Sequence, residues 1–239
     1  MVFRSEQLAS PEIASRCKTA PDVVRQQGRR GLIQDDGWVR EYGLHNFHVV
    51  SSGLLRSGQP SPRHLCRWLP RFGVKTVINL RGDEPDNPMV NAERVLLAHL
   101  GVRFESVRML SRAMPSVATI ERLYALAQQV PGPVWVHCKS GADRAGLAAA
   151  LLVHWREGVA LDNTQQLRLW PYWHYRWSKT GRLDAFIAAY RRDTAQSGKA
   201  LIDWVREDYD RERETAAFVR PRLRSALLDW WTDRVLRRE

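Results

Sequence analysis

The stretch from Val134 to Arg156 constrains the fold more than any other part of the sequence. Its apolar start, residues 134–136, predicts a buried strand, and the alanine- and leucine-rich residues 145–156 predict a buried helix. Between them lies the ten-residue sequence HCKSGADRAG, residues 137–146. A loop that leaves a buried strand and enters a helix is typical of α/β proteins.

Helices and strands alternate upstream as well. Helical patterns at 61–72 and 91–100 each end at a glycine, and apolar runs at 74–80 and 102–107 follow them. This alternation predicts an α/β fold with a mostly parallel central sheet flanked by helices on both faces, and with extra C-terminal helices.

The 239 residues suit one main domain with extensions. We expect an irregular N-terminal extension over residues 1–40, the main domain over 41–195, and a C-terminal helical extension over 196–239 that packs on the domain. Within that extension, the basic run 220–238 has apolar residues at helical spacing. Docking on the domain is favoured over a membrane-surface helix because Asp229 and Asp233 interrupt its basic face.

Composition limits the partners and the compartment. A net charge of +11 attracts anions such as phosphorylated substrates, acidic lipid headgroups or nucleic acid, although no nucleic-acid-binding module is recognisable. The three cysteines are sparse and odd in number, which favours a reducing compartment, and no signal-peptide-like or membrane-spanning apolar run occurs. We therefore expect a cytoplasmic protein, and assign no chemistry to Cys17 or Cys66.

The loop between the strand and the helix carries residues suited to phosphate chemistry. Its backbone N–H groups, at a helix N-terminus, can cradle a phosphate dianion and stabilise the thiolate of Cys138. The planar guanidinium of Arg144, five residues further on, can bind two phosphoryl oxygens. The predicted phosphate-binding residues are Lys139, Ser140, Gly141, Ala142, Asp143 and Arg144.

This loop resembles the H-C-x5-R motif of the cysteine-based protein tyrosine and dual-specificity phosphatase superfamily. Two upstream segments, Leu54 to Pro60 and Val77 to Gly82, resemble the entry segment and first core strand of atypical bacterial and plant members. The resemblance implies hydrolysis of phosphate monoesters through a phosphocysteine on Cys138, with no metal or other cofactor required.

The general acid departs from the family's usual pattern. The aspartate that usually lies on a separate upstream loop is missing from Arg103 to Ser116. Myotubularins and a group of bacterial lipid and tyrosine phosphatases instead have an aspartate immediately before the loop arginine, and Asp143 occupies that position. We favour Asp143 as the acid. The alternative is that Asp143 only tethers the loop and that Glu105 or another group donates the proton.

Two further loop positions bear on the mechanism. Ala145 stands where the family usually has a hydroxyl residue that assists breakdown of the phosphocysteine, so turnover is expected to be slow. His137 is interpreted as a structural residue that holds the loop.

The substrate class stays open between phosphotyrosine or phosphoprotein and a phosphoinositide-like phosphate. Lys139 adds a cation beside Cys138, as in relatives that favour phosphoinositides or other highly charged phosphates. Phosphatidylglycerophosphate or another lipid phosphate is an alternative substrate. A phosphate-binding pseudophosphatase is an alternative of another class.

Residues 168–182, RLWPYWHYRWSKTGR, interleave aromatic and basic side chains. They could read a phosphorylated ring or headgroup, or make peripheral contact with an anionic membrane. The sequence favours a third interpretation, in which most of the aromatics pack on the core. Lys179 is the candidate substrate-binding residue here, because its neighbours are small and polar.

Overall fold

The computed structural model describes residues 10–34, 37–42 and 45–219. The chain divides into two compact units. The first contains the described residues up to 106 together with 130–141, and the second contains 107–129 together with the described residues from 142 onward.

The first unit contains a five-stranded sheet. Its strands are β1 (His48–Ser51), β2 (Leu54–Ser57), β3 (Thr76–Asn79), β4 (Arg103–Ser106) and β5 (Val134–His137). They are ordered β1-β2-β5-β3-β4, and all neighbours pair in parallel except β1 and β2. Ser57 and Asn79 both pair with His137, so three strands end at the same level. The prediction of a mostly parallel sheet is confirmed.

Helices of the first unit flank this sheet. They are α1 (Pro11–Lys18), α2 (Asp22–Gln34), α3 (Gly37–Tyr42), α4 (Pro62–Phe72) and α5 (Pro88–Leu100). Three of them begin at a side-chain cap: Ser10 for α1, Ser61 for α4 and Asn87 for α5. Leu65 and Leu69 of α4, Leu96 and Leu97 of α5, and Val77 and Trp135 of the sheet form one core cluster.

The N-terminal extension is helical in its described part, so the prediction of an irregular segment is wrong there. The α2 helix lacks a sustained apolar stripe because two of its three buried residues, Gly28 and Gly31, are glycines. A Cβ atom on Gly28 would lie 3.1 Å from Pro62 Cγ, and one on Gly31 would lie 2.9 Å from Met89 Cε. At these positions the backbone of α2 packs directly on its neighbours, where most helices would place apolar side chains. Hydrophobic periodicity therefore does not reveal this helix.

Cys17 and Cys66 form a disulfide that joins α1 to α4, with Cα atoms 5.6 Å apart. The sequence analysis assigned no chemistry to these two residues and missed their pairing, because they are 49 positions apart and spacing does not reveal such a bond. Structural disulfides persist in oxidising compartments. The cysteines therefore no longer support a reducing compartment. The cytoplasmic location stays a prediction, and the disulfide is evidence against it.

The second unit is helical in its described residues. Its helices are α6 (Val117–Gln129), α7 (Arg144–Glu157), α8 (Leu161–Thr164), α9 (Arg182–Thr194), α10 (Leu201–Glu207) and α11 (Arg211–Ala217), with a short 3₁₀ helix at Lys179–Gly181. Ten consecutive residues of α7, 144–153, are buried. Trp204 of α10 packs its ring 5.6 Å from that of Phe186 in α9.

The extra C-terminal helices are confirmed by α10 and α11. The basic run 220–238 lies outside the described residues. The domain boundaries at 40/41 and 195/196 stay a prediction. Within the described ranges, no helix is both long and apolar enough to cross a membrane.

Candidate active site

Cys138 directly follows β5 and carries a buried, free thiol. Its backbone N–H donates to the carbonyl of Ser57 at the end of β2, over 3.3 Å. Its sulfur accepts a hydrogen bond from the N–H of Gly141 over 3.2 Å. The parallel pairing of β5 with β2 therefore sets the position of the thiol, and the loop folds back toward it.

Three successive loop carbonyls accept hydrogen bonds from residues in β2 and in the segments on either side of it. The N–H of Gln59 donates to the carbonyl of Lys139 over 3.1 Å. Asn46 Nδ2 donates to the carbonyl of residue 140 over 3.2 Å, and Arg56 Nη2 donates to that of Gly141 over 2.7 Å. In a trans peptide the N–H points opposite to the C=O. Fixing the carbonyls therefore turns the following N–H groups the other way, where the Gly141 N–H meets sulfur.

Gly141 is required by the close approach of the loop to β2. Its φ is +76°, and a Cβ atom there would lie 2.4 Å from the nitrogen of Gly58 and 2.6 Å from the carbonyl carbon of Ser57. No side chain fits that space without moving backbone. The tight backbone path expected at this glycine is present.

His137 lies in a buried polar cluster behind the loop. Its Nε2 is 2.9 Å from Glu93 Oε1, without the geometry of a directed hydrogen bond to any described residue. Glu93 accepts a hydrogen bond from Gln59 Nε2 over 2.8 Å, and Gln59 also holds the Lys139 carbonyl. These contacts suit the structural role expected for His137.

Arg144 opens α7 in the second unit and is 6% exposed. Its Nη1 donates to the carbonyl of Met109 over 3.4 Å. The segment 107–116, which carries no carboxyl side chain, is also held by Arg182, whose Nη1 donates to the carbonyl of Arg112 over 3.1 Å. The arginine thus contacts the segment that lacks the usual aspartate.

Asp143 belongs to a buried charged triad that the sequence interpretation missed. Its Oδ1 lies 2.7 Å from Nδ1 of His174, and Nε2 of His174 lies 2.7 Å from Oδ2 of Asp184. Burial by itself lowers the pKa of His174, but the hydrogen bonds to the two carboxylates outweigh it and raise this pKa to about 9. The favoured acid is therefore paired with an imidazolium at neutral pH.

Glu105, the alternative acid, lies on the edge strand β4. Its Oε1 is 2.6 Å from Nε of Arg103 on the same strand. The β3 strand separates β4 from β5, which carries Cys138 at its end. Adjacent strands are about 4.8 Å apart, so about 10 Å separates β4 from β5.

The aromatic loop 168–178 exposes its three tryptophans. Trp170, Trp173 and Trp177 are all exposed, whereas His174 is fully buried. The favoured interpretation, in which most of these aromatics pack on the core, is wrong for the tryptophans. The loop turns His174 inward, whereas Trp173 beside it stays exposed and Tyr175 is half-buried. Lys139 and Lys179 are half-buried, and Lys179 begins the short 3₁₀ helix.

A family model places this fold and loop among known phosphatases. The model described as "DSP-PTPase phosphatase fused to NAD+ Kinase" matches residues 46–172, more than half of the chain. The chain belongs to this family. The resemblance to cysteine-based dual-specificity phosphatases is thereby confirmed, and the matched range contains the loop 137–146 and the motif segments around β2 and β3.

Two curated relatives in this phosphatase class come from Pseudomonas aeruginosa strains, and both are named dual specificity protein phosphatase TpbA. One is 29% identical over 126 residues, which are 51% of this chain and 54% of the relative. The other is 30% identical over 125 residues, or 50% and 53% of the two chains. The chain thus spans about half the length of these relatives.

Solved structures that this chain resembles include those of TpbA and PTPMT1. The crystal structure of P. aeruginosa TpbA has a TM-score of 0.48 and 22% identity, over 67% of this chain and 88% of that chain. The crystal structure of PTPMT1 has a TM-score of 0.44 and 15% identity, over 63% and 99% respectively.

Five residues that shape the loop or its acid escaped the sequence interpretation: Asn46, Arg56, Gln59, His174 and Asp184. Arg56 and Gln59 belong to the segment Leu54 to Pro60, whose resemblance to the family does not by itself indicate what these two side chains contact. No local pattern marks the others, because Asn46 and Ser140 are 94 positions apart and His174 and Asp143 are 31 positions apart.

Proposed function

We propose that this chain hydrolyses phosphate monoesters, with Cys138 as the nucleophile. The observation that carries the proposal is the backbone turned around the thiol, in which the Gly141 N–H donates to sulfur while the preceding carbonyls bond outward. N–H groups arranged in this way bind oxyanions and stabilise a thiolate. Membership in a phosphatase family supports the same chemistry.

In the proposed reaction, the thiolate of Cys138 attacks phosphorus and the ester oxygen leaves. A phosphocysteine forms, and water then attacks it to release inorganic phosphate and restore the thiolate. Arg144 follows Cys138 in the same continuous loop, and its planar guanidinium is suited to bind two equatorial oxygens in the transition state. The residues 139–142 supply backbone N–H groups to the phosphate.

We assign the general acid to Asp143. The upstream segment 107–116 has no carboxyl side chain, and Glu105 is bound to Arg103 two strands away from β5. Asp143 directly precedes Arg144 and is buried. A leaving alkoxide or phenoxide needs a proton in the transition state, and Asp143 is the carboxyl group of the loop.

The substrate class is proposed as phosphotyrosine in a phosphoprotein or a phosphoinositide-like phosphate. Lys139 supplies an additional cation in the loop, and exposed Trp170, Trp173 and Trp177 offer aromatic surface near positions 168 and 176, which are basic. Lipid phosphates such as phosphatidylglycerophosphate suit the same features. Lys179 is kept as a candidate substrate-binding residue, and peripheral contact with an anionic membrane would accompany a lipid substrate.

The test is steady release of phosphate from an activated aryl phosphate by the wild type and by Cys138→Ser. We expect multiple turnovers in the wild type and none in the variant. The same pair is then assayed with phosphotyrosine peptides, phosphoinositides and phosphatidylglycerophosphate, and the ratio of kcat/KM values assigns the substrate class. Wild-type protein that binds phosphate but never releases it from esters would instead be a pseudophosphatase.

A further inference from the structure

His174 connects the proposed acid to a second carboxylate inside the second unit. Asp143 lies at the start of α7, His174 lies in the loop after α8, and Asp184 lies in the first turn of α9. The imidazole side chain is fully buried, and each ring nitrogen is 2.7 Å from one carboxylate oxygen. These distances are those of short charge-assisted hydrogen bonds.

The arrangement requires a proton on both ring nitrogens. An ionised carboxylate can only accept a hydrogen bond, so an imidazole held between two of them must donate from Nδ1 and from Nε2. Asp143 and Asp184 are also the charged groups that act on His174 from the elements packed around it. Their hydrogen bonds outweigh desolvation and keep the ring cationic at neutral pH.

The side chain of Asp143 does not cap the helix that it precedes. An aspartate at a helix N-cap commonly accepts hydrogen bonds from the first backbone N–H groups of that helix. Within the described helix α7, Asp143 makes no such side-chain cap. Its carboxylate accepts from His174 instead. An ionised Asp143 has no proton of its own to give to a leaving group, whereas its hydrogen-bonded neighbour has one.

We infer that His174 stores the proton that the leaving group receives through Asp143. This inference rests on the proposed function. His174 acts through Asp143 and does not touch the substrate, so it is a positioning residue. As the ester bond breaks, the Nδ1–H bond of His174 breaks and an O–H bond forms on the Asp143 carboxyl. That proton then passes to the leaving oxygen, so the alcohol leaves neutral, His174 becomes neutral and Asp143 returns to the carboxylate.

The relay predicts an unusual pH profile. An isolated aspartic acid loses its proton near pH 4, so a poor leaving group would depart slowly at neutral pH. A proton stored on His174 stays available until the pH rises through about 9. Activity toward a poor leaving group therefore extends across neutrality and falls only on the alkaline side. A purely structural tether would leave no such signature.

The experiment measures kcat against pH for phenyl phosphate, a poor leaving group, and for p-nitrophenyl phosphate, an activated one. For the wild type we expect the phenyl phosphate rate to fall as pH rises through about 9. The variant Asp184→Asn removes one of the two carboxylates that stabilise the imidazolium. In this variant the phenyl phosphate rate should begin to fall at a lower pH than in the wild type. In His174→Gln, the loss at neutral pH is about 10²-fold with phenyl phosphate and much smaller with p-nitrophenyl phosphate.

Two outcomes overturn the inference. In the first, the phenyl phosphate rate of the wild type falls below pH 7 and Asp184→Asn does not shift that fall. In the second, His174→Gln lowers kcat equally for both substrates. If His174→Gln fails to fold by circular dichroism, the shift in Asp184→Asn decides alone, because the side chain of Asp184 is 25% exposed and easier to replace. Failure of the proposed function would be recognised differently, because p-nitrophenyl phosphate hydrolysis would then persist in Cys138→Ser.

Discussion

The backbone N–H of Gly141 donates to the sulfur of Cys138 over 3.2 Å, and this contact depends on a loop that only glycine can close. Gly141 has a left-handed φ, and a Cβ atom added there would lie only 2.4 Å from the Gly58 nitrogen. The sulfur contact and the tight path are therefore one feature, and a substitution at this glycine should disturb the proposed thiolate site.

Gly141→Ala should cost both stability and activity. Gly158 is the matched control, because its φ is +70° but a Cβ there meets nothing within 4 Å. Gly158→Ala should lose about 1 kcal/mol of unfolding free energy, the cost of the left-handed backbone alone, and keep its activity. Gly141→Ala should lose a further 1–3 kcal/mol, approximately, from overpacking. Urea unfolding and aryl phosphate hydrolysis test this, and an active Gly141→Ala variant would contradict it.

Arg144→Lys should lose activity although the charge is kept. The planar guanidinium can donate to two equatorial phosphoryl oxygens at once, and a lysine ammonium cannot reproduce that geometry. We therefore expect kcat/KM to fall about 10²-fold or more. Inorganic phosphate should also inhibit the variant more weakly. Arg156→Lys, an exposed position in the last turn of the same helix, is the matched control and should behave as the wild type. Near-normal rates in Arg144→Lys would exclude the bidentate role.

Asp143→Asn should show a defect that depends on the leaving group. The change keeps the shape of the side chain and removes the carboxyl, so we expect a loss of about 10²-fold or more with phenyl phosphate and a much smaller loss with p-nitrophenyl phosphate. The comparison variant is Glu105→Gln, which should lose little with either substrate. If the leaving-group dependence appeared in Glu105→Gln instead, the acid would lie on β4.

The strand, loop and helix around Cys138 could be predicted because apolar periodicity and loop chemistry agree there. The apolar run 134–136 gives β5, and the alanine-rich stretch gives α7. The α2 helix was not predicted because two of its three buried residues are Gly28 and Gly31, and glycines leave no hydrophobic pattern.

The charged cluster at the proposed acid could not be predicted from residue pattern either. Asp143 was identified from its place beside Arg144, but its partner His174 sits in an aromatic run whose members point both inward and outward. Only the path of the loop decides which ring is buried. The pairing of Cys17 with Cys66 is equally non-local, since it depends on how α1 packs against α4.

The Cys17–Cys66 disulfide should stabilise the first unit. The bond links two residues that are 49 positions apart and so lowers the entropy of the unfolded chain. In the loop-entropy model this raises the free energy of unfolding by about 4 kcal/mol. We expect reduction to lower the urea midpoint of Cys138→Ser protein, in which these are the remaining cysteines. The matching variant with Cys17→Ser and Cys66→Ser added should not respond to reductant. Two reactive thiols in unfolded, unreduced Cys138→Ser protein would show that the bond does not form.

Trapping the covalent intermediate tests the central claim most directly. Wild-type protein is mixed with an activated aryl phosphate, quenched in acid during turnover, digested and examined by mass spectrometry. The account predicts a phosphate adduct on the peptide that contains Cys138, built up because Ala145 supplies no hydroxyl to assist its breakdown, and no adduct in Cys138→Ser. Sustained phosphate release without an adduct on Cys138, or release that persists in Cys138→Ser, would contradict it.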